Sequence, residues 1–475
     1  MVKETENKEL NSDLKFGLRS FITVCSILLA VIIFVGILTF IVPSGRYLFD
    51  ENGKIISNSF EFIESETRLP VWRWFTAPIE AVFLGEGNIT IIQIIAVLLV
   101  LGGTFKVLDK TGGLYAVVQL IVNKFYNKRY MAIWVITLFM MILSSCFGLQ
   151  EELLILFPIF LSFSVAMNWS KVQAISLVLI TTGVGFTTAI FNPFTVGIAS
   201  ELAGVSILDG IWYRILIFAI LYVLTSLYLV WRAKREEKLN NAPIKNEFER
   251  LTDEEKTEHN LKSKMIIKLF VAVLAVVVIS SVVPFIQNLG IGMVLMALTF
   301  VVGTFIIGNK LFGGLKSTFK CFGEGVKDLA PSVVIVLLAF SVKYIADNGN
   351  ILHTLFYYCH GYISSKSPYV AVVLLYVLIL VFEFFIPGST AKALLLIPLL
   401  TLAPIEGISI NIIILAFLFG DGYTNVLYPT CGTLVIGISL AEVSYVEWIK
   451  KTALFQILLF IVSTAFLFFA VYIGL

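Results

Sequence analysis

The chain has 475 residues, of which 58% are hydrophobic and only 14% charged. A soluble domain needs about 25% charged residues to cover its outside, so a water-soluble fold of this length is excluded. A formal net charge of +2 also excludes an electrostatic nucleic-acid binder. The cysteines (Cys25, Cys146, Cys321, Cys359, Cys431) show no disulfide framework. His259, His353 and His360 pair with no Cys or His at zinc spacing. No cofactor or metal is expected, and the class is an all-α polytopic membrane protein.

About 20 apolar residues cross the hydrocarbon of a bilayer. In chain order, apolar runs fall near 21–42, 88–108, 131–146, 152–167, 172–202, 209–231, 265–287, 289–309, 329–347, 368–386, 393–405, 409–440 and 449–474. Residues 1–20 are mixed in charge and lack a cleavage site, so the first run reads as a retained anchor. The runs 172–202 and 409–440 are long and broken by Gly, Asn and Pro. Four runs, in two adjacent pairs, are too short to cross alone. Amphipathic stretches near 113–127 and 350–365 precede these pairs. Trp72, Trp74 and Tyr47 read as interfacial belt residues, and Lys106 and Lys343 as cations snorkelling from the ends of their crossings.

Orientation follows from Lys and Arg in short connections. The stretch 232–268 holds ten Lys/Arg and eight Asp/Glu and reads as cytoplasmic. The stretch 44–88 holds four Lys/Arg and seven Asp/Glu and reads as external. The N-terminus is then inside and the C-terminus outside, in the cytoplasmic membrane.

The two halves repeat. Cys146-Phe-Gly-Leu-Gln-Glu-Glu-Leu-Leu-Ile-Leu-Phe-Pro158 aligns with Ile386-Pro-Gly-Ser-Thr-Ala-Lys-Ala-Leu-Leu-Leu-Ile-Pro398, Gly148 meeting Gly388 and Pro158 meeting Pro398. Gly183, Gly185 and Thr187 align with Gly420, Gly422 and Thr424, and Lys106 with Lys343. The charge pattern puts the copies in opposite orientations, the inverted-repeat arrangement of secondary transporters. The expected organisation is N-half scaffold, outer loop and arm helix at 1–127. An N-half transport segment follows at 128–231, with a re-entrant hairpin at 130–168 and a broken helix at 172–202. A cytoplasmic linker at 232–264 leads to C-half scaffold and arm helices at 265–365. The C-half transport segment is 366–475, with a hairpin at 366–406 and a broken helix at 409–440.

A hairpin tip or an unwound helix at mid-membrane depth is tolerated only around a polar cavity. The tips at 145–151 and 387–392 and unwound segments near 183–193 and 420–430 are expected to meet there. Ionisable residues in such segments are costly, and function is their default reading. Candidate solute-binding residues are Glu151, Glu152, Asn192, Ser389, Thr390, Lys392, Asp421 and Asn425. Candidate ion-binding positions are Gly148, Thr187, Thr188, Gly388, Thr424 and Thr430. Bland readings stand beside these: Glu151, Glu152 and Asp421 as helix caps, Lys392 as half of a structural ion pair, Asn192-Pro193 and Pro429 as helix breakers. Glu383 lies in a hairpin arm with its role open, and His353 and His360 fall on an outer amphipathic stretch, where a proton relay is not the expected role.

Several of these motifs resemble a known family. Phe385-Ile-Pro-Gly-Ser-Thr-Ala-Lys-Ala-Leu-Leu-Leu-Ile-Pro398 is similar to the second hairpin of the YfcC-like transporters, as are Phe419-Gly-Asp-Gly-Tyr-Thr-Asn425 and Pro429-Thr-Cys-Gly432. Gly183-Val-Gly-Phe186 with Asn192-Pro-Phe-Thr-Val-Gly-Ile198 resembles the first broken helix, and Val42-Pro-Ser-Gly-Arg-Tyr47 the end of the first crossing. That group sits with DcuC-type C4-dicarboxylate carriers and arginine–ornithine antiporters in the ion transporter superfamily. The resemblance implies a homodimer with a scaffold domain and an elevator-like transport domain. It also implies sodium near hairpin tips in some relatives, although here the first tip reads Ser144-Ser-Cys-Phe-Gly-Leu-Gln150 where dicarboxylate carriers have Ser-Asn-Thr. The expected function is a secondary active transporter, not an enzyme. It would move a small charged solute across the bilayer, foremost an amino acid of arginine/ornithine type. The alternative is a C4-dicarboxylate carrier coupled to sodium or protons.

Overall fold

Backbone groups in lipid must be satisfied within the chain, and helices do this locally. The fold, taken from a computed structural model, is described for residues 18–48, 59–63, 69–85, 88–125, 128–240, 253–283, 291–386, 389–401 and 405–475. In chain order the helices are α1 (Leu18–Ile41), α2 (Trp72–Phe83), α3 (Asn88–Lys110), α4 (Gly113–Phe125), α5 (Arg129–Phe147) and α6 (Phe157–Ala166), the last entered by a 3-10 turn at Glu152–Leu156. There follow α7 (Lys171–Thr188), α8 (Ile198–Ala203), α9 (Ile211–Asn240), α10 (Asp253–Val282), α11 (Gly292–Leu311), α12 (Leu315–Asn348) and α13 (Leu352–Ile363). The chain closes with α14 (Pro368–Phe385), α15 (Ser389–Thr401), α16 (Ile410–Leu427), α17 (Gly432–Leu440) and α18 (Tyr445–Ile473). A two-residue antiparallel ribbon, β1 (Gly45–Arg46) with β2 (Glu61–Phe62), follows α1. Among the described residues ten helical spans are long and apolar enough to cross a membrane, and the protein is a polytopic membrane protein.

The helices pack as two groups. In one, α12 lies against α1, α2 and α3, with α10 and α11 beside them. In the other, α7 and α16 lie at the centre, against α5, α6, α9, α14 and α18. Burial tells the groups' centres from their lipid-facing helices. Every residue from Val172 to Thr188 in α7 and from Ile412 to Val426 in α16 is buried, whereas α9 and α18 present Leu227, Trp231, Leu454, Ile457 and Ile461 outward.

Three sequence expectations need correction. Lys106 does not snorkel: its Nζ lies 2.9 Å from Asp328 of α12. The cause is a glycine-on-glycine approach, Gly102 against Gly325, which brings α3 and α12 close enough for the pair. Trp74 and Tyr47 are buried rather than interfacial. Trp74 fills the notch above Gly36, and the Tyr47 N–H donates to His353 Nδ1 at 3.2 Å. Trp72 alone of the three is exposed. The charged stretch 232–268 is largely not a loop. Its described parts continue α9 and α10 as helix, because Lys, Arg and Glu are good helix formers.

Candidate functional site

Ser170 and Ser409 start the two central helices in the same way. Each hydroxyl accepts a backbone N–H from the first turn, of Gln173 at 3.2 Å and of Ile412 at 3.3 Å. Both helices then break. The first stops at Thr188. Ala189 turns to φ +29°, and Asn192, whose Oδ1 accepts the Phe194 N–H at 2.9 Å, starts the next piece at Pro193. The second stops at Leu427, and Pro429 lies in the gap before Gly432. The breaks are shorter than expected. Gly183, Gly185, Gly420 and Gly422 stay helical and serve as packing notches. A methyl group on Gly183 would meet Val426, one on Gly422 would meet Thr187, one on Gly185 would meet Ser144, and one on Gly420 would meet Ile379. Since Gly183 faces Val426 while Thr187 faces Gly422, α7 and α16 run antiparallel where they cross.

The first tip is a left-handed glycine cap. Gly148 has φ +70° and its N–H donates to Ser144 O at 3.0 Å. A side chain there would also strike Asn192 and Phe194. Beneath this tip is a neutral network. Ser144 Oγ donates to Leu149 O at 2.8 Å, the Thr188 and Ser145 hydroxyls lie in hydrogen-bond contact at 3.0 Å, and the Ile190 N–H donates to Ser145 Oγ at 2.9 Å. The second tip differs. Lys392 Nζ, one turn into α15, donates to Asp421 Oδ1 at 2.7 Å and to Glu383 Oε2 at 2.9 Å. Ser389 Oγ donates to Asp421 at 2.8 Å, and Thr424 Oγ1 donates to Glu383 Oε2. Lys392 and Glu383 are each 2% exposed and Asp421 not at all.

Both tips face one cavity of about 190 Å³. Of the positions expected from sequence, Gly148, Glu151, Glu152, Ser389, Lys392, Thr424, Asn425 and Thr430 line it. Asp421 stands behind Lys392. Asn192 backs Gly148, with its Nδ2 donating to Ser144 O at 3.4 Å. Thr187 and Thr188 are turned away, their hydroxyls donating to Gly183 O and Gly185 O. Gly388 lies outside the described residues, as does the side chain of Thr390. Sequence reasoning missed Gln150, Tyr428 and Cys431 in the lining, together with the apolar walls Ile94, Phe186, Phe194 and Phe340. The aromatic and aliphatic walls carry no signal in a chain this apolar. Glu383 did carry one, as a carboxylate inside the 18-residue apolar α14.

Glu151 Oε1 accepts from Thr433 Oγ1 at 3.0 Å, and Glu152 Oε2 accepts the Gln150 N–H at 3.2 Å. Among the described residues neither carboxylate meets a cation. Three buried polar atoms of the lining have no partner: Gln150 Nε2, Asn425 Nδ2 and Glu383 Oε1. A buried polar atom left unpaired costs about 1–3 kcal/mol.

A family model described as C4-dicarboxylate anaerobic carrier, DcuC, matches residues 21–472. YfcC of Escherichia coli K12, provisionally named a basic amino acid antiporter, is 25% identical over 92% of this chain and 94% of its own. An uncharacterised protein of Haemophilus influenzae is 24% identical over 77% of this chain and 72% of its own. Among solved structures, the YdaH transporter of Alcanivorax borkumensis matches 96% of this chain and 98% of its own at 16% identity and TM-score 0.43. MtrF of Neisseria gonorrhoeae, described within a class of antimetabolite efflux pumps, matches 94% of each chain at 13% identity and TM-score 0.41.

Proposed function

The chain belongs to the DcuC family of C4-dicarboxylate anaerobic carriers, and from that premise we propose that it is a secondary active transporter whose solute is an amino acid, a basic one foremost, taken in exchange for another. Membership makes it a membrane transporter and not an enzyme. The observation that carries the solute class is the state of Lys392. It is the one cationic side chain in the described lining, and its ammonium is already shared by two carboxylates. A dicarboxylate would find no uncommitted cation. A guanidinium or ammonium would find Glu151 and Glu152 with spare lone pairs, and charge-assisted hydrogen bonds of this kind are the strong ones. The Gln150 and Asn425 amides would hold the α-carboxylate and Glu383 Oε1 the α-ammonium. The provisional name of YfcC supports this reading.

The family's description favours the second reading, a C4-dicarboxylate, for which Lys392 would have to leave Asp421. Thermal unfolding of the purified protein separates the two, since a solute that binds the native form raises the melting temperature by mass action. Arginine or ornithine should stabilise the protein and succinate should not. The reverse result selects the dicarboxylate. In proteoliposomes Glu151→Gln or Glu152→Gln should cost at least tenfold in exchange while the melting temperature stays close to that of the parent. Full exchange by both variants would remove these acids from the site.

The mechanism belongs to the same proposal. The group around α7 and α16 would be the moving transport domain. The group around α12 would be the scaffold and the contact of a homodimer in the cytoplasmic membrane, with the N-terminus inside and the C-terminus outside. The antiparallel crossing of two glycine-notched, broken helices supports inverted repeats with re-entrant tips. A sodium ion or proton is the remaining candidate for coupling, near Gly148, Thr424 and Thr430.

A further inference from the structure

A second cavity, of about 460 Å³, lies between α9 and α18, away from the solute site. Its depth can be read from the two helices. The apolar part of α9 ends at Trp231, and the run Arg232-Ala-Lys-Arg-Glu-Glu-Lys238 follows. On α18 the charged turn ends at Lys450-Lys451, and an apolar run continues to Ile473. Both helices change from apolar to charged at the level of this cavity. The Tyr228 hydroxyl ties them together there, donating to Lys451 O at 3.2 Å, with its ring 4.8 Å from that of Phe455. The cavity therefore sits at headgroup depth.

Its charge is one-sided. Arg232, Arg235, Lys450 and Lys451 line it, against the single carboxylate of Glu236. Glu236 is already engaged, accepting from the Ser170 N–H and Oγ at 2.7 Å each and from Arg232 at 3.3 Å. Arg232 is buried and held to Ser176 Oγ at 3.0 Å. Arg235 lies over the Trp231 ring at 5.6 Å, and Lys451 shares an exposed pair with Glu447, which is weak in water. Trp231 and Leu454 line it on the apolar side, and towards the membrane middle α9 and α18 continue with Leu227 and Ile457 exposed.

We propose that this cavity binds the phosphodiester headgroup of an anionic phospholipid, with Arg235, Lys450 and Lys451 taking the phosphate and the exposed apolar faces of α9 and α18 an acyl chain. A cation near an anionic leaflet contributes about 1 kcal/mol, and a pocket that also seats the chain converts that general attraction into a site.

The test uses the purified full-length protein in uncharged detergent, with native mass spectrometry and thermal unfolding as readouts. Phosphatidylglycerol should bind as a retained adduct and raise the melting temperature, while phosphatidylcholine of the same acyl chains does neither. Inorganic phosphate and glycerol phosphate should fail to reproduce the effect. If they match the lipid, the site is one for a soluble anion and the proposal fails. Arg235→Gln, Lys450→Gln and Lys451→Gln together alter only exposed side chains, so the fold should survive. They should weaken phosphatidylglycerol binding on the order of a hundredfold. Equal binding of both lipids by the parent protein, or undiminished phosphatidylglycerol binding by the triple variant, would overturn it.

Discussion

The two broken central helices, α7 and α16, solve one backbone problem with opposite electrostatics. Each is capped by a serine, notched by two glycines and broken before a proline. Around the first break the glycine notch receives Ser144, and hydroxyls and amides satisfy the chain ends. Around the second, Glu383, Lys392 and Asp421 form a buried ion cluster. The neutral half leaves its acids, Glu151 and Glu152, turned to the cavity without a cation. Around the charged break the one cation among the described lining residues, Lys392, is held within the cluster itself. The difference teaches that charge in a membrane site has to be read after pairing. A count of ionisable residues finds mixed signs at the tips, whereas the paired structure leaves a cavity with uncommitted acids and amides.

The largest effect that would break this comparison comes from the charged half. Lys392→Met strands two buried carboxylates and should cost about 3–5 kcal/mol, read as a large fall in melting temperature. Adding Asp421→Asn to it should restore part of that loss. A double variant no more stable than the single one would mean that the cluster is not a coupled unit.

The shared feature of the halves gives the next test. Gly422→Ala places a methyl against the Thr187 backbone, which only a shift of α7 from α16 can relieve. Overpacking of this kind costs about 1–3 kcal/mol, and exchange activity should fall with the melting temperature. If Gly422→Ala leaves both unchanged, the close crossing is not needed. The smallest effect belongs to the neutral half. Ser145→Ala leaves the Ile190 N–H without its acceptor and should cost about 1 kcal/mol while transport persists. A Ser145→Ala loss as large as that of Lys392→Met would erase the contrast between the halves.

The order and extent of most helices were legible in the sequence. Run length, hydropathy and the punctuation of Gly, Asn and Pro are local properties that lipid enforces directly, so α3, α5, α7, α14 and α16 fall close to the expected residues. The acids at the first tip and the lysine at the second were legible for the same reason, because an ionisable residue in an apolar run stands out. Glu383 was visible but unassigned. Its role depends on Lys392 across a tip, and on Asp421 and Thr424 some forty residues on.

What the sequence determined by itself is therefore the class, the spans, the prolines at which the central helices break and the side chains that cannot lie in lipid. Tertiary structure decided which of them pair: Lys392 with Asp421, Lys106 with Asp328, Trp74 with the notch at Gly36, and glycines that pack rather than unwind. The physical reason is range. Helix formation in lipid is fixed by each residue and its near neighbours, while an ion pair or a glycine notch exists only when a second, distant helix arrives to fill it.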